Sequence, residues 1–138
     1  MKNYKITKPT IIKTKKYTNV NGTLIPFYLN KINFFKTKRI FIVKGNKNYI
    51  RGDHAHKKCT QIFIQLTGQT ELLVFKNRKY KFTLDGRQNK LLIIPPLHWC
   101  NLKFKKNNSS FLVLCDYDYI SKEYIRNFEK FKKILNKN

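Results

Sequence analysis

Short apolar runs separated by turn residues make up most of the chain. Runs rich in β-branched and aromatic residues, which are typical of strands, lie at 38–43, 60–66, 71–75, 79–84, 91–94 and 110–117. Gly68 and the pair Asp85-Gly86 are turn signals between such runs. We therefore expect 71–75 to return as the hairpin partner of 60–66, and Asp85-Gly86 to close a second hairpin. The pattern predicts an all-β protein, an antiparallel barrel or sandwich.

The spacing of apolar residues becomes helical near the C-terminus. Within 121–135, one stripe is formed by Ile125, Phe128, Phe131 and either Ile134 or Leu135. Ser121 is suited to the N-cap, and Glu123 in the first turn suits the positive end of the helix dipole. The pattern predicts a C-terminal helix that packs its stripe against the outside of the barrel.

The length of 138 residues fits one domain with a single core. No apolar run is long enough to span a bilayer, and the start of the chain lacks the apolar segment of a secretory signal. The three cysteines are widely spaced and include no Cys-x-x-Cys pair, which argues against a zinc ribbon or a disulfide framework. These features indicate a cytoplasmic protein with reduced thiols and no membrane partner.

The net charge of +23 raises the question of nucleic-acid binding. The lysines are scattered along the chain, and the excess of lysine, asparagine, isoleucine and phenylalanine is what an AT-rich genome encodes. Scattered surface lysine keeps a protein soluble and attracts anions, but it does not make a binding groove. We therefore expect a small phosphate-bearing ligand and no nucleic acid.

Two histidines, His54 and His56, stand one residue apart in the segment RGDHAHK. On a strand, residues i and i+2 point to the same face, so both imidazoles project together past the small Ala55. Such a pair suits metal binding or acid–base chemistry near neutral pH. Gly52 and Ala55 would also let a ligand approach the backbone closely.

The histidine pair, followed after four residues by Gln61 and after six more by Gly68, resembles the first motif of the cupins, a family of small β-barrels. In metal-binding cupins a glutamate stands at the place of Gln61, and a further histidine follows a proline in a second motif. Here the only anionic ligand is replaced by an amide. His98 is also displaced from the expected position, which Cys100 or Asn101 occupies. Two imidazoles alone make a weak divalent site, so we expect no metal.

The heptapeptide RGDHAHK also resembles the R-G-x-H-A-H-K signature of the sugar 3,4-ketoisomerases, which are cupins. Three further segments resemble the same family, at 20–24, 38–46 and 116–133, so that the match covers nearly the whole length. The resemblance implies a cupin-type antiparallel β-barrel, also called a double-stranded β-helix or jelly roll, with a C-terminal α-helix. It implies one domain over 1–138: N-terminal strands in 1–30 that are exchanged within a homodimer, a barrel in 31–117 and a helix in 118–138.

The reaction is a second implication of the resemblance. These enzymes convert dTDP-4-keto-6-deoxyglucose to a 3-keto isomer, a precursor of deoxy and amino sugars for surface glycans such as lipopolysaccharide. His54 and His56 are then the catalytic residues: one removes the C3 proton, and its neighbour or a water supplies the C4 proton, with no cofactor. Which histidine is the base stays open, as does the C4 configuration of the product. The alternatives are a metal-dependent cupin enzyme and a non-catalytic sugar-binding cupin.

Five other residues are predicted to bind the substrate. Arg51 either forks onto the pyrophosphate or a sugar oxygen, or forms a salt bridge at the barrel rim. Gln61 hydrogen-bonds the sugar or a histidine, or satisfies buried backbone. His98 lies in the pocket or at its rim, with a solvated loop as the alternative. Trp99 lines the pocket, with core packing as the alternative. Asn21 stands where relatives carry a residue that influences the stereochemistry of the product.

Overall fold

The computed structural model describes residues 5–32 and 34–138, so the first four residues of the predicted N-terminal strands lie outside the described part. Its strands and α-helix, in chain order, are β1 (Thr10–Lys13), β2 (Tyr17–Asn19), β3 (Gly22–Leu24), β4 (Arg39–Gly45), β5 (Ile50–His56), β6 (Gln61–Thr67), β7 (Gln69–Phe75), β8 (Lys79–Asp85), β9 (Lys90–Ile94), β10 (Trp99–Phe104), β11 (Ser109–Cys115), β12 (Tyr124–Ile125) and α1 (Phe128–Lys137).

Two five-stranded antiparallel sheets form the body of the domain. The first has the strand order β1-β9-β6-β11-β4, and the second has the order β12-β5-β10-β7-β8. Strands β2 and β3 form a separate hairpin. This arrangement confirms the predicted fold class, a cupin-type all-β jelly roll with one C-terminal α-helix.

The main core lies between the two sheets. Side chains that are buried there include Phe63, Leu92, Phe111 and Val113 from the first sheet and Leu72, Val74, Leu84, Leu102 and Phe104 from the second. Alternation along each strand turns these residues inward. Each large apolar side chain contributes roughly 1.5–3 kcal/mol by leaving water. The core therefore fixes the distance between the two sheets.

Both predicted hairpins are wrong, although both turns exist. The chain crosses from the first sheet to the second at Gly68, between β6 and β7, and crosses back at Asp85-Gly86, between β8 and β9. The two crossings lie side by side, where the Gly86 amide donates to the Gly68 carbonyl at 3.0 Å. A turn signal shows that the chain reverses, but it does not show whether the next strand stays in the same sheet. The true partner of β7 along the chain is β8.

The helix begins later than predicted. Ser121–Glu123 is a 3-10 turn, and Tyr124–Ile125 is a short strand paired with β5, so Ser121 is not the N-cap of an α-helix. Asn127 caps α1, because its side chain accepts from the Lys130 amide at 2.9 Å. None of the helices in the described part of the chain is long and apolar enough to cross a membrane.

The apolar stripe of α1 covers the outer face of β5. Phe131 is fully buried, in a cluster with Ala55 and Ile125. Ala55 therefore points away from the inner face, towards the helix. The expectation that Ala55 lets a ligand approach is corrected: its small size makes room for the helix.

Candidate active site

A cavity of about 240 Å³ lies between the sheets. Its apolar walls come from Phe41, Val43, Phe63, Cys100, Leu102, Phe111 and Val113. The polar part of its lining consists of Arg51, Gly52, His54, Gln61, Tyr124 and Arg126. A largely apolar pocket with a few converging polar groups is the usual form of a small-molecule site.

Strand β5 places His54 in the lining of this cavity and His56 beside it. Their ring centroids are 5.0 Å apart with the planes at 80°, so the predicted projection from one face is observed. Tyr124 on β12 pairs with His56 in register. The Tyr124 ring packs against both imidazoles, with centroids 5.1 Å from His54 and 4.4 Å from His56. His54 and Tyr124 line the cavity, and His56 lies against both of them.

His56 forms a buried pair with Glu123. Its Nδ1 atom is 2.6 Å from Glu123 Oε2, and both residues are about 5% exposed. The other carboxylate oxygen, Oε1, accepts from the backbone amides of Lys58 and Cys59 at 3.0 and 2.7 Å. The carboxylate thus places the imidazole proton on Nδ1 and leaves a lone pair on Nε2. Within the described residues, this buried Nε2 has no hydrogen-bond partner.

His54 is held in the same tautomer by the backbone. Its Nδ1 atom lies 3.1 Å from the Gly52 carbonyl, which can only accept a hydrogen bond. Gly52 has φ of +87°, and a Cβ there would come within 2.7 Å of the Cys100 carbonyl oxygen, so only glycine fits this bulge.

Burial keeps both imidazoles neutral near pH 7. Burial lowers the pKa of His54 by more than the hydrogen bond to Gly52 raises it. Burial also lowers the pKa of His56, although the interactions with Glu123 raise it. Both rings therefore rest as bases with a free Nε2 lone pair.

Behind the cavity, Arg39 connects Tyr124 to a cysteine. Arg39 Nη2 donates to the Tyr124 hydroxyl at 3.0 Å and lies 3.6 Å from Cys115 Sγ. Gln61 Nε2 is 3.7 Å from the same sulfur. Hydrogen bonds from Cys59, Arg39 and Gln61 lower the pKa of Cys115 to about 6. Gln61 thus directs its amide nitrogen to the sulfur rather than to a histidine.

The remaining predicted binding residues are divided between cavity and scaffold. Arg51 lines the cavity and, within the described residues, forms no ion pair. His98 is buried outside the cavity lining, where Nδ1 contacts the carbonyls of Pro95 and Pro96 at 3.2 and 3.0 Å. Its expected place at the pocket is therefore corrected.

Trp99 and Asn21 also lie outside the cavity of this chain. The Trp99 ring packs on α1, with centroids 5.2 Å from Phe128 and 5.6 Å from Phe131, which corrects the expectation that it lines the pocket. Asn21 is exposed in the turn between β2 and β3, where its backbone N–H donates to Asn19 Oδ1 at 2.8 Å.

Sequence reasoning missed Glu123, Tyr124, Arg39 and Arg126 as site residues. The helical spacing of 121–135, with Ser121 as an N-cap, places Glu123 in the first turn of a helix and not beside His56. The signal that could have found Glu123, Tyr124 and Arg126 is the resemblance of 116–133 to the ketoisomerase tail. For Arg39 it is the resemblance of 38–46 to the same family. Contacts between residues that are far apart in the sequence cannot be derived from local periodicity.

One cluster of possible metal ligands occurs near the pair. Donor atoms of His56, Cys59 and Glu123 lie within 4.8 Å of one another. Both Glu123 oxygens already accept hydrogen bonds from protein donors. The hydrogen bond with Cys115, together with burial, raises the pKa of Cys59, so its thiol stays protonated. A metal prefers a thiolate and a free carboxylate, and this donor set offers neither.

Comparison with known proteins agrees with this geometry. A curated relative from Aneurinibacillus thermoaerophilus, TDP-4-oxo-6-deoxy-alpha-D-glucose-3,4-oxoisomerase, is 30% identical over 129 residues, which cover 92% of each chain. The 3,4-ketoisomerase QdtA from Thermoanaerobacterium thermosaccharolyticum, solved with TDP, has a TM-score of 0.86 at 26% identity, covering 96% of this chain and 98% of that one.

Two further structures extend the likeness. A histidine-to-asparagine variant of QdtA, solved with TDP-4-keto-6-deoxyglucose, has a TM-score of 0.86 at 25% identity, covering 97% and 98% of the two chains. WlaRA from Campylobacter jejuni, a TDP-fucose-3,4-ketoisomerase, has a TM-score of 0.81 at 32% identity, covering 94% and 96%. The family model described as "FdtA: WxcM-like, C-terminal" matches residues 7–136, and this chain belongs to that family.

Proposed function

We propose that this protein is a TDP-sugar 3,4-ketoisomerase that converts TDP-4-keto-6-deoxyglucose to its 3-keto isomer. The observation that carries the proposal is a pair of neutral imidazoles, of which His54 lines a cavity between the sheets and His56, beside it, is backed by a buried carboxylate. One relative described above is named for this reaction and another was solved with TDP-4-keto-6-deoxyglucose, which supports the assignment.

The chemistry moves two protons and needs no outside oxidant. The C4 carbonyl makes the C3 proton acidic, and a base removes it to give an enediol. The proton is then returned to C4, while the oxygen on C3 loses its proton and the oxygen on C4 gains one. C3 is oxidised and C4 is reduced within the same molecule.

His56 is suited to carry the carbon-bound proton. A base that takes this proton must hold it as an imidazolium until C4 receives it. Glu123 stabilises that imidazolium through the 2.6 Å contact to Nδ1, as the carboxylate does in other carboxylate–histidine pairs. The Nε2 atom of His56 is buried beside the two cavity-lining rings and has no partner among the described residues, and we assign it as the acceptor of the substrate proton.

His54 is suited to exchange a proton with the sugar oxygens. It lines the cavity, and its Nδ1 proton is committed to the Gly52 carbonyl. Its Nε2 lone pair can therefore accept the hydroxyl proton of C3. The two histidines then have different roles, one at carbon and one at oxygen.

Positive charge at the cavity suits a nucleotide diphosphate. Arg51 and Arg126 line the cavity with exposed guanidinium groups, which bind phosphate oxygens in a forked geometry. The net charge of +23 also attracts an anionic substrate. Such a substrate, together with three unpaired cysteines, supports a cytoplasmic location.

The functional unit is proposed to be a homodimer. The β2–β3 hairpin pairs with no other strand of the described chain and exposes Tyr17, Val20 and Leu24. An isolated hairpin is marginal in water, so these apolar groups need a cover. A second copy of the chain supplies it, and Asn21 in the hairpin turn then approaches the other subunit, where it can influence the product.

The direct test is an NMR assay with TDP-4-keto-6-deoxyglucose in D₂O. We expect a 3-keto product from the wild type and a loss of turnover of about 10²–10⁴-fold in His54→Asn and in His56→Asn. His98→Asn is the matched control, since this histidine is buried outside the cavity. Binding of the sugar nucleotide without product would instead support a sugar-binding cupin.

Removal of metal distinguishes the metal-free ketoisomerase from the metal-dependent cupin enzyme. After dialysis against a chelator, we expect an unchanged rate because no step uses an ion. A loss of rate that added divalent metal restores would support the metal-dependent cupin instead.

A further inference from the structure

The resting site contains two bases and needs an acid. Both imidazoles carry their proton on Nδ1, where it is donated to Gly52 in one ring and to Glu123 in the other. Neither ring thus presents an N–H to a sugar in the cavity. When the C3 proton leaves, negative charge develops on the oxygen of C4, and this charge requires a proton donor.

Few cavity-lining groups can supply that proton. The Gln61 amide nitrogen is directed to Cys115 Sγ, and an amide is not an acid. Burial raises the pKa of the Cys100 thiol to about 12, which makes it a poor donor. The guanidinium groups of Arg51 and Arg126 donate hydrogen bonds but keep their protons. Tyr124 is the remaining donor.

The surroundings of Tyr124 prepare it for this role. Arg39 donates to its hydroxyl oxygen at 3.0 Å, so the oxygen acts as an acceptor there and its own proton is available to another group. The Arg126 guanidinium lies 4.6 Å from the centre of the Tyr124 ring. Two positive charges therefore stabilise a phenolate as it forms.

We propose that Tyr124 is the catalytic acid of this site, with Arg39 as its positioning residue, and that it protonates the C4 oxygen of the sugar. The inference rests on the proposed function. As His56 Nε2 takes the C3 proton, the electrons of the C–H bond form a C3–C4 double bond, and the electrons of the C4 carbonyl move to its oxygen. That oxygen takes the Tyr124 proton, which leaves an enediol and a phenolate.

The second half of the reaction restores every group. His56 returns its proton to C4, and the C3 oxygen gives its hydroxyl proton to His54 Nε2 as the C3 carbonyl forms. His54, whose ring centroid is 5.1 Å from that of Tyr124, passes this proton to the phenolate. All three side chains end in their starting states.

Arg39 has further contacts that hold it beside the hydroxyl. Its guanidinium lies 5.2 Å from the centre of the Phe41 ring and 5.3 Å from the centre of the Tyr119 ring. It also contacts Cys115 Sγ at 3.6 Å. These contacts orient Nη2 towards Tyr124 before substrate binds.

The first test compares Tyr124→Phe with the wild type in the ketoisomerase assay. We expect kcat to fall about 10²-fold or more with KM changed less than threefold, because the hydroxyl acts in the transition state. Tyr80→Phe, which removes a hydroxyl outside the cavity lining, is the matched control and keeps the wild-type kcat. A kcat for Tyr124→Phe within twofold of the wild type overturns the inference.

The second test does not depend on the folding of that variant. Replacement of Tyr124 by 3-fluorotyrosine keeps the shape and makes the phenol more acidic. If Tyr124 is the acid, we expect the alkaline limb of the pH profile of kcat to move to lower pH. If Tyr124 has only a structural role, the limb stays in place, and that result refutes the assignment of Tyr124 as the acid. The wild-type assay separates the two proposals: no turnover by the wild type rejects the ketoisomerase, and an active wild type with an unmoved limb rejects only Tyr124.

Discussion

Glu123 determines what the histidine pair can do. A buried imidazole alone would resist protonation, because burial lowers the pKa of His56. The carboxylate opposes that effect and fixes the ring, while the amides of Lys58 and Cys59 hold the carboxylate. The proton carrier is thus a unit of one side chain from β5, one from the turn before β12 and two backbone groups.

Replacement of Glu123 by glutamine tests this unit. The new amide has one oxygen and one NH₂ group. If the oxygen accepts from the backbone amides, the NH₂ group faces the Nδ1 proton of His56, and if the amide turns round, the NH₂ group faces the backbone amides. It also removes the charge that stabilises the imidazolium. We expect kcat to fall about 10²-fold or more. Glu129→Gln, on the exposed face of α1, is the control. Equal rates for the two variants would contradict the role of Glu123.

The neutral histidines also predict a pH dependence. Folding lowers the pKa of His54, His56 and His98 below the ordinary value of 6.5. The unfolded chain therefore binds protons first as pH falls. The free energy of unfolding should be constant above about pH 7 and decrease as pH drops below 6.5.

Activity should follow the same groups. We expect the acid limb of kcat/KM to lie below pH 6.5, because the bases stay unprotonated until then. The limb should persist in His98→Asn, which leaves the site intact. An acid limb at or above pH 6.5 would show that the histidines are charged at rest.

At the level of elements, β12 and α1 form a support for the site. Strand β12 adds to the edge of β5, and α1 covers the outer face of the same strand. Phe131 anchors the helix: it is fully buried and packs on Trp99. The segment that bears Glu123 and Tyr124 is therefore fixed from both sides.

Truncation of this anchor should destabilise the whole domain. We expect Phe131→Ala to lower the free energy of unfolding by about 3–5 kcal/mol, the usual cost of emptying a buried phenylalanine site. Phe128→Ala is the matched control, since Phe128 is 38% exposed, and its cost should be smaller. Urea denaturation followed by fluorescence of Trp99 measures both. Equal losses would mean that the helix does not depend on the buried stripe.

The same elements show what a sequence can predict. The shared face of His54 and His56 follows from strand geometry alone, and the apolar stripe of 121–135 follows from its spacing. The sequence does not predict which strand pairs with β7 or where α1 begins, because turn and cap signals are local. Glu123 lies 67 residues after His56, and only the closing of the fold brings them together.

At the scale of the whole molecule, the β2–β3 hairpin is the least supported part. It projects from the domain with Val20 fully exposed at its tip, whereas β1 is paired to β9. The cost of exposing such residues falls if two chains cover each other's hairpins. The hairpin would then link assembly to the cavity, because Asn21 lies in its turn.

The last prediction concerns this assembly. Light scattering after size exclusion should give a mass of about twice the 16.6 kDa of one chain. Val20→Asp places a charge in the apolar contact and should shift the mass towards the monomer with a loss of turnover. Tyr49→Asp, on an exposed residue outside the hairpin, should leave both unchanged. A wild type that is monomeric at all concentrations and fully active would show that each cavity works alone and would contradict the homodimer.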